Sequence, residues 1–109
     1  MVEGVEPAAR NEADSRYANE NLEKAQQYLR SSEDLQIICE CGRPGCGELL
    51  SITKSEYEEL RSDPTHFAIS IGHLLPSVDR VVRQTDRFAV VEKRPGTPED
   101  IAKEEDTRS

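Results

Sequence analysis

The chain has 109 residues, of which 35% are hydrophobic, 33% charged and 5% aromatic, with no Trp. So little apolar mass allows one small core and predicts ends that do not join it. Twenty-two acids against fourteen bases give a net charge of -8, which disfavours a phosphate-binding surface, and the longest apolar run, Phe88 to Val91, cannot cross a membrane.

Residues 1–10 combine acids with Gly4 and Pro7 and show no periodicity, which predicts a disordered lead. They hold no basic region followed by an apolar stretch, so a cytoplasmic protein without a secretory signal is expected. Residues 11–30 are rich in helix formers and free of Gly and Pro. Ala18, Leu22, Ala25 and Leu29 recur at helical spacing, with Tyr17 and Tyr28 at the edges, which predicts an amphipathic helix. A stripe this thin needs a surface to lean on, either this chain's core or a partner, and docking within the chain is favoured.

A compact α+β domain is expected over residues 35–93. Leu35, Ile37 and Cys39 alternate with Gln36 and Glu40, the pattern of a strand with one apolar face. Cys41 to Gly47 carries three glycines and a proline and reads as a tight turn, with Leu49 to Thr53 returning as the second strand of a hairpin. Thr53 and Glu56 fit a capping box, and Pro64 ends the helix that follows at Asp63. Phe67, Ile69 and Ile71 mark a third strand, and Arg80–Thr85 with Arg87–Lys93 a closing hairpin whose apolar residues include Val81 and Val82. The acidic tail, residues 94–109, is expected to be disordered apart from a transient helical turn near Ile101 and Ala102.

All three cysteines fall within eight residues, as Cys39-x-Cys41-x4-Cys46. An odd number, with no secretory signal expected, argues against a disulfide framework. Thiolates on a glycine-rich turn can instead converge on one zinc ion, which takes about four N or S donors. The fourth donor must be a histidine. His73 shares strand parity with Phe67, Ile69 and Ile71 and follows Gly72, so the preferred set is Cys39, Cys41, Cys46 and His73, with His66 as the alternative. A core of this size supplies roughly 3–5 kcal/mol, whereas a structural zinc contributes on the order of 10–16 kcal/mol in small peptides. The competing readings are three unrelated core thiols and a redox cluster using the same cysteines.

Arg80, Arg83, Arg87, Lys93 and Arg94 read as a solvated hairpin face rather than a nucleic-acid strip. Neither a nucleotide-binding glycine loop nor a nucleophile elbow occurs in the sequence.

Cys39-Glu40-Cys41-Gly42, Cys46, Glu56-Tyr57, Arg61, Phe67, Gly72-His73 and Val90-Val91-Glu92-Lys93 resemble a family of short bacterial proteins with a C-x-C-G turn, an E-Y-x-x-x-R helix, a G-H dipeptide and a V-V-x-K strand. The resemblance covers about residues 39–93, with Ile71 where the family carries proline. It implies a compact bacterial domain with a metal-like ligand set and brings no known activity. The expected function is a zinc-stapled, non-enzymatic regulatory module that binds a protein partner, with a thiol-based redox protein or sensor as the alternative. A four-donor site leaves no coordination position for a substrate.

Overall fold

The computed structural model describes residues 5–43 and 45–106. Its order is α1 (Val5–Ala25), β1 (Asp34–Ile38), β2 (Leu49–Thr53), α2 (Lys54–Arg61), β3 (His66–Ile69), β4 (Asp79–Gln84), β5 (Ala89–Lys93) and α3 (Thr97–Glu104). This is the expected α+β class. β1 and β2 form an antiparallel hairpin, and β3, β5 and β4, in that spatial order, form an antiparallel sheet. The core holds Leu35, Ile37, Ile52, Tyr57, Phe67, Ile69, Phe88 and Val91, each almost wholly buried. Beyond it, the Glu40 N–H donates to the Ala68 carbonyl at 2.8 Å, linking the hairpin to the edge of the larger sheet.

The local signals account for much of this. Thr53 caps α2: its hydroxyl accepts from the Glu56 N–H at 3.1 Å, and Glu56 accepts from the Thr53 N–H at 2.9 Å. Pro64 lies just past the end of that helix.

Three expectations need correction. The first helix begins at Val5 rather than Asn11 and ends at Ala25 rather than Arg30. Pro7 lies in its first turn, where the missing N–H has no intrahelical partner to lose; residues 1–4 lie outside the described part. The tail is likewise ordered, with α3 burying Pro98, Ile101 and Ala102, and Ile101 packing in a small cluster with Ala9 and Val78; residues 107–109 lie outside the described part. Val81 and Val82 are exposed, because β4 is the sheet edge and its register shifts between Val81 and Arg83.

α1 docks on its own chain, through a face the apolar stripe does not identify. The fully buried residues are Ala9, Glu12, Ala13, Arg16, Asn19 and Glu20; of the stripe, Ala18, Leu22 and Leu29 are half-buried, Leu29 against the core, while Ala25, Tyr17 and Tyr28 are exposed. Polar partners replace a hydrophobic seam. Glu12 and Asp79 pair with Lys93, all three buried. The Arg16 guanidinium lies over the Phe67 ring at 3.5 Å and donates to the Pro64 carbonyl at 2.7 Å. Glu20 binds Arg61 at 3.0 Å and accepts from the Tyr57 hydroxyl at 3.1 Å.

Candidate metal centre

Two chain reversals build the centre. β1 ends at Ile38, and the Cys39 N–H donates to the Glu48 carbonyl at 2.7 Å, closing the neck of the loop that carries Cys41 and Cys46. Gly45 within that loop sits at φ +74°, a conformation that favours glycine. The second reversal follows β3, where the His73 N–H donates to the Ser70 carbonyl at 3.0 Å and Gly72 takes φ +91°. That turn carries His73 back over the cysteine loop.

One donor atom from each of Cys39, Cys41, Cys46 and His73 lies within 4.8 Å of the others. His73 Nδ1 stands 3.6 Å from the Cys39 sulfur and 3.7 Å from the Cys46 sulfur. Tetrahedral zinc with bonds of about 2.3 Å to sulfur and 2.0–2.1 Å to nitrogen places sulfur and nitrogen donors about 3.6 Å apart. The donor set therefore fits a tetrahedral ion in both chemistry and spacing. On the other side of the ring, His73 Nε2 lies 3.1 Å from the Glu48 carboxylate, which fixes the imidazole with Nδ1 facing the sulfurs.

Cys39 and Cys41 are buried and Cys46 is half-buried. Burial pushes the Cys41 thiol up to about 12, so a metal ion must displace its proton on binding. The Ser70 N–H donates to the Cys39 sulfur at 3.1 Å. A reactive sensor thiol needs the opposite setting, exposed and with a depressed pKa.

His66, the alternative fourth donor, lies elsewhere. It groups with Asp63 and Glu92, 3.4 and 3.1 Å from their carboxylates. Those carboxylates are already engaged: Glu92 receives Arg80 at 2.7 Å, and Asp63 receives the Thr65 N–H and hydroxyl at 2.9 and 2.7 Å. Parity was not what placed His73, since β3 stops at Ile69 and the Gly72 turn intervenes.

The surroundings correct one expectation: Glu40 reads as part of the polar face of the first strand, yet it lies inward. Glu40, between two of the cysteines, is fully buried, and its carboxylate accepts from the Ala68 N–H and the Asn19 amide, both at 2.9 Å. Burial raises the Glu40 carboxyl, opposed by Arg16 and those two donors. A charged residue inside a C-x-C turn was the signal available for it. In the expected basic face, Arg80 pairs with Glu92, Arg83 lies 3.9 Å from Glu59, and Arg87 pairs with Glu56 and Asp34, while Lys93 is buried. Among the described residues no helix is long and apolar enough to cross a membrane.

No family model matches the chain, and neither a curated protein nor a solved structure shows significant similarity to it.

Proposed function

We propose that the chain is a zinc-stapled, non-enzymatic module that presents its surface to a protein partner. The observation that carries this reading is the donor set of three thiols and one imidazole, with sulfur-to-nitrogen spacings of 3.6 and 3.7 Å and a carboxylate behind the ring. Four protein donors fill a tetrahedron and leave no position for substrate or an activated water, which supports a structural ion over a catalytic one. Exposed Tyr17, Tyr28, Val81 and Val82 offer apolar area to a macromolecule. The resemblance to short bacterial C-x-C-G proteins implies a compact cytoplasmic domain and carries no activity, and the acidic charge disfavours nucleic acid as the partner.

The test is the metal content of protein purified without added chelator. One zinc per chain is expected, lost in Cys41→Ser and in His73→Ala and retained in His66→Ala. Metal-free native protein with a reversible Cys39–Cys41 or Cys41–Cys46 disulfide would replace this reading with the redox one.

A further inference from the structure

The outer edge of β1 and the cysteine segment that continues it turn backbone groups outward at every second residue; α1 meets them at Ile38 and Gly42, Gln26 meets them at Gln36, and at Glu40 the N–H goes to Ala68 of β3. The Gln26 carboxamide, one residue past α1, accepts from the Gln36 N–H at 3.1 Å and donates to the Gln36 carbonyl at 3.0 Å. Asn19 does the same at Ile38, with both bonds at 2.8 Å. Each carboxamide thus stands in for a residue of a neighbouring strand. Two residues on, Glu40 holds Asn19 through its side chain, and two further on the Gly42 carbonyl accepts from Asn11 at 3.2 Å. Gly42 packs so closely on α1 that a Cβ there would fall 2.6 Å from the Ala8 carbonyl oxygen. The backbone held by α1 is therefore the backbone that carries Cys39 and Cys41.

The rest of the α1 docking face is mainly polar, with Ala9 and Ala13 as its buried apolar residues. Such a helix gains little from apolar burial and holds its place only while its partners stay ordered. We infer that α1 is a metal-linked clasp: occupancy of the cysteine–histidine centre steadies residues 38–42 and their bonds to Asn11 and Asn19, and loss of the ion loosens α1 along that side while its contacts with Lys93, Phe67 and Arg61 and the β3–β5–β4 sheet remain. Asn11, Asn19 and Glu40 are then positioning residues of the centre. This rests on the metal-binding reading above. Reciprocity follows from linkage, so loosening α1 weakens metal binding by the factor by which the metal tightens α1.

Hydrogen exchange read by mass spectrometry on the full chain tests this, comparing the zinc-loaded protein, its metal content measured beforehand, with the same protein stripped by EDTA. Stripping should accelerate exchange in α1 by about 10-fold or more, within the usual range of coupling between sites, with protection kept in β3, β5 and β4. In the zinc-loaded protein Asn19→Leu should raise α1 exchange and lower zinc affinity, measured against a competing chelator, by about 10-fold. Val90→Ala, a buried change in β5 on the side of Leu60 and Val82, should alter neither. Unchanged α1 protection after stripping would overturn the clasp, as would simultaneous loss of protection throughout the chain or equal affinity losses in both variants. Absence of zinc before chelation would instead defeat the metal-binding reading, and the clasp with it.

Discussion

Lys93 shows how far a residue's sequence context can mislead about its surroundings. Placed among arginines it looks solvated, yet it is buried between Glu12 and Asp79 and lies 4.3 Å from the Phe67 ring. One ammonium cannot balance two buried carboxylates, and burial lifts the Asp79 carboxyl to about 7, opposed by Arg94. Burial also pulls the Lys93 ammonium down to about 6, so from about pH 4 to 6, with Lys93 still charged, the folded chain keeps on Asp79 a proton that the unfolded chain has released. The contribution of Asp79 to stability falls as pH rises through that window, by at most about 1.4 kcal/mol per pH unit. Asp79→Asn should remove this slope, so that urea denaturation from pH 4 to 6 finds the variant gaining on wild type as pH rises. A difference independent of pH would place the carboxyl in its ordinary range. The alternation of Ala89, Val91 and Lys93 was the available sign of burial, and charge type obscured it. The cysteine centre was more legible because thiols and glycines at close spacing have few other uses. His73 was the residue brought to it, although a glycine turn rather than strand parity delivers it.

At the level of elements, hairpin, capped helix and sheet follow from alternation and punctuation, and their positions agree with the sequence to within a few residues. The first helix does not. Apolar periodicity selects Ala18, Leu22, Ala25 and Leu29, whereas the buried face carries, besides Ala9 and Ala13, carboxamides and charges whose partners lie far along the chain. No hydrophobic pattern can reveal a face of that kind. Its fit can be tested at Gly42, where a methyl group would collide with the α1 backbone rather than with a flexible side chain. Gly42→Ala should force the helix outward and cost roughly 1–3 kcal/mol in denaturant titration, as overpacking generally does. A change below about 0.5 kcal/mol, the range typical of surface substitutions, would show that the contact relaxes freely.

For the molecule as a whole, the arrangement of the donors matters more than their identity. Cys39, Cys41 and Cys46 belong to the two-stranded hairpin and its loop, whereas His73 lies in the connection from β3 to β4. An ion held by all four would cross-link the two sheets, and a two-stranded hairpin alone is marginal in water. Chelation should therefore lower the melting temperature by more than about 10 °C, since each kcal/mol shifts a chain of this size by roughly 4–8 °C. A calorimetric transition unmoved by prolonged EDTA dialysis would show that the sheets hold together without the ion.

The Glu12–Lys93 contact joins residues 81 positions apart. At roughly 5–20 residues per second, a ribosome would deliver the lysine about 4–16 s after the glutamate. α1, made well before its partner Lys93, must thus wait to find its seat. A nascent segment that waits so long beside other chains is at risk if it is greasy; one faced with amides and charges can wait in water without sticking.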